Sequence, residues 1–236
     1  MILQLTGKNE PEGLYKEFYG RIIDQMPLLI AQGYEPISIA GTIDRRLYAP
    51  DVVRNTWRRN YVFTGDGVSY GTKGDVLVIL SAQPLRGVTL QSQLCVNPLV
   101  DWALQLNTEQ WEDLKKSDSV LYLPANKVEQ VDGKGFVKRG VWQPENAVVG
   151  EVWEHLGQGN DLEDYAQMIS EAEDSNSKNV MNLYFDRSQK SSPTLRPWVL
   201  ESIDGDSDAH GDDSLGDIGG HLIGVSERKI RDTFPL

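Results

Sequence analysis

Cysteine is almost absent from this sequence. The chain of 236 residues has one, Cys95, so no disulfide can form within it. Disulfides persist in oxidising compartments, and a lone thiol in the apolar stretch LCVNPLV is typical of a small core residue. The first residues also lack a basic region followed by an apolar one. These features predict a cytoplasmic protein, or a component of a virion or complex assembled in the cytoplasm.

Long hydrophobic runs and an excess of positive charge are absent as well. No run approaches 18 apolar residues, which predicts no contact with a membrane through a spanning helix. The 23 Lys and Arg are outnumbered by 35 Asp and Glu, for a net charge of −12. Binding to nucleic acid requires clustered positive charge, so this balance leaves only a local arginine cluster as a route to it.

Motifs that name a reaction are missing too. The sequence contains no phosphate-binding P-loop, dinucleotide fingerprint, Cys/His zinc pattern or HExxH. Gly67–Gly71 matches the G-x-S-x-G pattern of a nucleophile elbow. That pattern requires a helix after the turn, whereas a turn and another apolar strand follow here. Whether the chain is an enzyme stays open on these grounds.

The negative charge is concentrated late in the chain. Residues 1–140 hold 16 basic and 16 acidic side chains, while residues 141–236 hold 7 and 19. Residues 201–217, hereafter the acidic segment, contain no Lys or Arg. Crowded carboxylates repel each other unless water, salt or a cation screens them. Seven of them lie here: Glu201, Asp204, Asp206, Asp208, Asp212, Asp213 and Asp217.

The spacing of these carboxylates suggests a metal site. Every second residue over 204–208 is Asp, as in loops that bind hard cations. An EF-hand is excluded because Ala209 replaces the required Gly and Leu215 the required Glu. Two histidines would complete a mixed set for a divalent cation. The candidate metal ligands are Asp204, Asp206, Asp208, His210 and His221. The alternatives are a solvated loop, a structural cation or a catalytic metal.

A second cluster is basic and lies among aromatic residues at 44–61. Arginines with aromatic neighbours can bind phosphates or stack on bases, and they are also enriched at protein interfaces. They could instead form surface ion pairs, or pair with the acidic segment within one molecule or between neighbouring copies. The candidate phosphate-binding or partner-binding residues are Arg45, Arg46, Arg54, Arg58 and Arg59.

Hydrophobic periodicity predicts helices and strands in separate runs. A long helix is expected over Pro11–Gln32 with an interruption near Pro27, and another helix begins near Pro50. An antiparallel meander follows at 61–81, with a turn at 65–67 and a fourth strand at Val88–Leu94. Three further strands are expected at Val180–Phe185, Leu195–Ile203 and His221–Val225. Pro197 suggests that the middle one of the three either lies at an edge or begins at Trp198.

These elements predict an α+β fold. Its antiparallel sheet, built from the meander and the C-terminal strands, would pack against several helices. We expect a single domain over 1–236, with 174–179 as the place where a subdivision would fall.

Two functions compete on this basis. The first is a non-enzymatic binding or assembly protein whose charge-polarised surface meets a protein partner or another copy, through Arg-rich 45–59 and Asp-rich 201–217. The second is a metal-dependent hydrolase or phosphoesterase that uses a divalent cation as cofactor in the Asp/His cluster at 204–221.

Overall fold

The computed structural model describes residues 14–87, 99–172, 178–217 and 220–226. Cys95 and the strand predicted at 88–94 lie outside these ranges. The strands are β1 (Tyr15–Tyr19), β2 (Glu35–Pro36), β3 (Val62–Tyr70), β4 (Val76–Ile79), β5 (Leu99–Val100), β6 (Ala103–Gln105), β7 (Val120–Leu123), β8 (Lys134–Arg139), β9 (Val141–Pro144), β10 (Asn179–Tyr184), β11 (Thr194–Leu200), β12 (Ala209–His210) and β13 (His221–Val225). The helices are α1 (Ile22–Ala31), α2 (Ile39–Tyr48), α3 (Asp51–Arg58), α4 (Gln83–Arg86), α5 (Thr108–Leu114), α6 (Ala125–Val131), α7 (Ala147–Gly157) and α8 (Leu162–Ala172).

All 13 described strands join one mixed sheet. Its main path runs β1-β13-β3-β11-β12-β10-β8-β9, with β4 on β3, β7 on β4 and β6 on β11. Two pairs are parallel, namely β13 with β3 and β10 with β12. The expectation of an antiparallel sheet is therefore wrong. Alternation along a strand reports which of its faces is buried, and it carries no information about the direction of a neighbour that comes from far along the chain.

The predicted N-terminal helix is also wrong in its first half. Residues Tyr15–Tyr19 form β1, and Gly20, with φ of +130°, separates this strand from α1. The pairing of Tyr15 with Val225 spans almost the whole chain, and local periodicity cannot reveal it. Pro27 lies inside α1 without ending it. Among the described residues, no helix is both long and apolar enough to cross a membrane.

The turn predicted at 65–67 is instead the middle of β3. Asp66 is fully buried, and its two carboxylate oxygens accept hydrogen bonds from the backbone N–H of Ile39 (2.7 Å) and of Ser81 (2.9 Å). Burial raises the pKa of Asp66 to about 6, although both hydrogen bonds favour the charged form. This carboxylate thus ties the start of α2 to the end of β4 across β3.

The predicted edge position of Pro197 is wrong too. Its strand, β11, pairs with β3 on one side and with β6 and β12 on the other. The register with β3 shifts between Pro197 and Val199, and such a bulge is where a sheet tolerates a residue without an N–H.

The sheet is buried on both faces. One cluster includes Trp153, Trp198 and Tyr165, and the other includes Phe18, Phe63 and Leu222. Five of the six tryptophans are at most 4% exposed: Trp57, Trp111, Trp142, Trp153 and Trp198. The sixth, Trp102, is 48% exposed. A sheet packed on both sides forms a rigid support for the connections at its rim.

Candidate functional site

The acidic segment is built into the sheet. After β11 it turns at Ile203–Gly205, passes Asp206 and Ser207 in the left-handed conformation, and pairs as β12 between β11 and β10. The carbonyl of Asp206 accepts a hydrogen bond from the backbone N–H of Met181 (2.9 Å). Two side-chain-bearing residues with positive φ cost about 1–3 kcal/mol each. The surrounding bonds hold the backbone there, which gives the segment a fixed shape.

Asp208 faces inward from this segment. It is 8% exposed, and its Oδ1 accepts hydrogen bonds from the backbone N–H of Asn182 (2.7 Å) and from its Nδ2 (3.0 Å). Burial raises the pKa of Asp208 to about 6, although the Asn182 hydrogen bond opposes this shift. The carboxylate is therefore fixed in position, and it accepts a proton at a higher pH than an ordinary aspartate does.

His210 is the last residue of the short strand β12, and its side chain is partly exposed. Its Nδ1 is 3.3 Å from Oδ1 of Asp212, its Nε2 is 3.6 Å from Oε2 of Glu201, and its ring stacks on Tyr184 at 4.8 Å. Burial alone would lower the pKa of His210, but the Asp212 and Glu201 carboxylates outweigh it and raise the pKa to about 10. The imidazolium therefore forms part of a charged network at neutral pH.

We expect this network to make stability dependent on alkaline pH. Because the folded pKa of His210 is about 10 and its ordinary value is 6.5, the stabilisation is complete below pH 6.5 and is lost as the pH rises toward 10. Between pH 6.5 and 9, in buffer with EDTA, the melting temperature of the wild type should fall at least about 3 °C more than that of His210→Gln. Equal falls in the two proteins, measured by circular dichroism, would contradict this assignment.

The structure brings two of the five predicted metal ligands together. Glu201, Asp208 and His210 offer ligand atoms that all lie within 4.8 Å of one another, the one such group among the described residues. Two carboxylates and an imidazole can hold a divalent cation. Glu201 joins them because β11 and β12 are antiparallel neighbours, a pairing that its position in the sequence does not reveal.

The other three predicted ligands lie elsewhere. Asp204 is exposed on the turn after β11, and Asp206 occupies the left-handed position that follows it. His221 begins β13, where its Nδ1 hydrogen-bonds the carboxylate of Glu17 and its ring contacts Tyr19 edge-on. The alternation at 204–208 therefore does not turn the three aspartates toward one point.

Arg46, from the predicted basic cluster, is entirely buried. Its Nε donates to the Trp57 carbonyl (3.1 Å) and its Nη2 to the Asn60 carbonyl (2.8 Å). Its Nη1 donates to the hydroxyls of Tyr165 (2.9 Å) and Ser207 (2.7 Å). Four hydrogen bonds satisfy the guanidinium inside the protein, so it does not face an external phosphate.

The other four arginines lie nearer the surface on α2 and α3. Arg54 pairs with Asp51 (2.8 Å), and Arg58 donates to the carbonyl of Arg46 (3.1 Å). Burial, followed by the charge of Arg54, lowers the pKa of Arg58. Arg45 lies over the ring of Tyr15 at 5.4 Å, while Arg59 is exposed. Arg45, Arg54 and Arg58 thus make local contacts as well as presenting charge.

The predicted contact between the basic and acidic segments takes an unexpected form. The two segments meet where the guanidinium of Arg46 donates to the hydroxyl of Ser207, which in turn lies 2.7 Å from the Tyr165 hydroxyl. This contact uses a neutral side chain of the acidic segment and not one of its carboxylates. It anchors the inner side of the segment and leaves the charged side outward.

A strained hairpin stands beside the outer end of the acidic segment. Val100 and Ala103 pair across a two-residue turn made by Asp101 and Trp102, which have φ of +50° and +55°. Turns with two positive φ values favour Asn and Gly, so Trp is unusual there. The backbone carbonyl of Trp102 accepts a hydrogen bond from the N–H of Leu215 (2.9 Å), which joins the hairpin to the acidic segment.

A separate cavity of about 450 Å³ opens between the turn after β3, α6 and residues 185–190. Its walls include Tyr70 and Phe185, together with Val128 of α6 and Asp132, which directly follows that helix. The volume is in the range of small-ligand sites. None of the predicted site residues lines it.

The chain is similar in fold to a solved structure that shows how the C-type lectin fold accommodates massive sequence variation in Nanoarchaeota. The TM-score is 0.60 at 14% sequence identity, with 89% of this chain and 95% of the other covered. At this identity the likeness shows the fold alone, and the protein resembles the C-type lectin fold. No family model and no curated protein sequence matches the chain.

The sequence analysis did not identify Tyr184 and Trp102, which both contact the acidic segment. Tyr184 ends an apolar strand and reads as an ordinary strand residue, yet it stacks on His210 because β10 and β12 are parallel neighbours. Asp101 and Trp102 stand between two short apolar pairs, which is a weak hairpin signal without Asn or Gly.

Proposed function

We propose that the protein is a non-enzymatic binding protein whose acidic segment forms the binding face for a protein partner. The observation that carries this proposal is that some residues of the segment anchor it to the protein while others face solvent. Asp208 and Ser207 are buried and hydrogen-bonded to the scaffold, whereas Asp204 and Asp212 are exposed on the same fixed backbone.

A fixed acidic face lowers the entropic cost of association and favours partners of complementary charge. The net charge of −12 adds long-range attraction for such partners. The fold also supports the proposal, because the similar solved structure concerns the accommodation of massive sequence variation by the C-type lectin fold. The exposed aromatic side chain of Trp102 beside the segment is also typical of binding surfaces.

Neutralising the two outer carboxylates tests the proposal. Binding would be measured by biolayer interferometry against cationic, anionic and neutral polypeptides and neutral oligosaccharides. We expect saturable binding to at least one polypeptide, weakened at least about ten-fold by Asp204→Asn with Asp212→Asn. Asp118→Asn, at another exposed site outside the segment, should bind like the wild type. Saturable binding to none of these probes, or binding that the double variant leaves intact, would refute it.

The second candidate is a cation site, favoured by the convergence of Glu201, Asp208 and His210. These residues would hold a divalent ion, which would supply either structural support or Lewis-acid chemistry. The ion must compete with the Asn182 amide for Asp208 and displace the proton that the two neighbouring carboxylates stabilise on His210. The competition with Asn182 weakens the affinity for the ion. The proton on His210 weakens it further at neutral pH, because a metal ligand must be deprotonated.

The cation candidate predicts ion-specific stabilisation. A bound ion at about 100 times its dissociation constant stabilises the folded state by about 2.7 kcal/mol, which raises the melting temperature by several degrees. The comparison is between EDTA and added Ca²⁺, Mg²⁺, Mn²⁺ or Zn²⁺. Asp208→Asn should abolish the rise, while Asp204→Asn should retain it. The absence of a rise with every ion would dismiss this candidate.

A further inference from the structure

Trp102 is the exception among the six tryptophans, because its side chain is exposed to solvent. The other five are at most 4% exposed, whereas Trp102 is 48% exposed. A large aromatic side chain left half in water forgoes much of its hydrophobic stabilisation. Large, rigid aromatic side chains at such positions are the residues that dominate protein interfaces.

The surroundings of Trp102 hold its side chain in one place. A Cβ on Gly216 would lie 2.7 Å from the indole, so only glycine lets the acidic segment pass this close to the ring. The guanidinium of Arg21 lies 5.9 Å from the ring centroid, and Nη2 of Arg196 donates to the carbonyl of Asp101 (3.0 Å). The indole is therefore positioned before any partner arrives, which reduces the entropic cost of binding.

The charges around the indole define the partner. Asp101 is exposed next to it and Asp217 lies on the adjoining part of the acidic segment, whereas the half-buried carboxylate of Asp213 accepts a hydrogen bond from the Tyr61 hydroxyl. Within the described part of the chain, two cations lie near the indole or its turn, and both are engaged: Arg21 pairs with Asp24 (2.7 Å), and Arg196, nearly buried, pairs with Asp186 (3.3 Å). The outward charge is therefore negative, and it complements a positively charged partner.

We propose that Trp102 is the anchor of a docking surface for a basic polypeptide, in which an arginine or lysine stem lies against the indole and neighbouring basic groups face Asp101 and the acidic segment. This assignment rests on the proposed function and names its partner class. Indole rings bind guanidinium and ammonium groups through both hydrophobic contact and cation–π attraction.

Because Trp102 is the one exposed tryptophan, quenching of its fluorescence reports whether a peptide covers it. Acrylamide, a neutral quencher, reaches Trp102 far more readily than the five buried tryptophans. We would titrate the protein with a synthetic peptide of alternating arginine and serine, and with one of alternating glutamate and serine. We expect the arginine peptide to reduce the quenchable fraction at least about two-fold and the glutamate peptide to leave it unchanged.

Variants of Trp102 test whether the aromatic side chain is responsible for peptide binding. Fluorescence anisotropy of the labelled arginine peptide should show at least about ten-fold weaker binding to Trp102→Ala and near wild-type binding to Trp102→Phe. Val141→Ala, another exposed hydrophobic side chain, is the matched control and should bind normally. Thermal melts establish that each variant is folded.

The outcomes separate this inference from the proposed function. Arginine-peptide binding that the Asp204→Asn/Asp212→Asn variant weakens and Trp102→Ala leaves intact would overturn the anchor and keep the binding face. If a different probe bound the acidic segment and the arginine peptide did not, only the assignment of a basic partner would be overturned. Self-association in light scattering that Trp102→Ala abolishes would overturn a separate partner in favour of a second copy.

Discussion

Arg46→Ala will destabilise the protein by about 3–5 kcal/mol, the range for removing one partner from a buried charged network. The substitution deletes four hydrogen bonds at once and leaves two backbone carbonyls, those of Trp57 and Asn60, without their donor in the interior. The melting temperature should fall on the order of 10 °C, and urea titration should show a lower midpoint with an unchanged slope.

Arg46→Lys will recover little of this loss. An ammonium group has three donors at one point, whereas the acceptors of Arg46 are spread around a planar guanidinium. The matched control is Arg59→Ala on the neighbouring helix end, where the side chain is exposed and the cost should stay within about 0.5 kcal/mol. An Arg46→Ala protein as stable as Arg59→Ala would show that the buried guanidinium does not hold the acidic segment to the helices.

Gly135→Ala is the second substitution with a large expected effect. A Cβ at this position of β8 would clash with the carbonyl oxygen of Val180, and would lie 2.7 Å from that of Met181 and 2.8 Å from the N of Asn182. All three atoms are backbone, so no side chain can rotate away and the strands must separate. We expect a loss of about 3 kcal/mol or more, measured by urea titration.

The damage from Gly135→Ala should extend to the acidic segment. β10 holds that segment through the N–H of Met181 and the amide of Asn182. Displacing β10 should therefore release Asp208 and weaken binding to the acidic face. Gly87→Ala is the control, since its nearest contact is 3.8 Å away and its φ of −85° suits any residue. If both glycine variants melt like the wild type, β8 and β10 are not as close as the structure has them.

Local signals predicted those elements whose cause is local. The apolar run that predicted a strand at His221–Val225 is β13. Pro50, which predicted the start of a helix, directly precedes α3. The concentration of carboxylates at 201–217 also predicted a site there, and that site stays a prediction. Each of these features depends on residues within one turn or one strand of each other.

The features that sequence reasoning missed depend on distant neighbours. Asp66 resembles a turn residue between two glycines, but Gly65 and Gly67 are there because Pro36 and Ala82 approach the strand closely. Arg46 resembles a surface charge until α8 and the acidic segment supply the hydroxyls that bury it. In both cases a polar residue is stabilised inside the protein by partners whose position only the complete fold determines.

β13 has a consequence for how the protein is made. It is the strand on which β1 pairs, and it also pairs with β2 and β3. During synthesis, β1 therefore emerges roughly two hundred residues before its partner, and the sheet cannot close until β13 has left the ribosome. Until then the apolar face of α1 and the edge of β3 lack their partner strand, which exposes the nascent chain to aggregation.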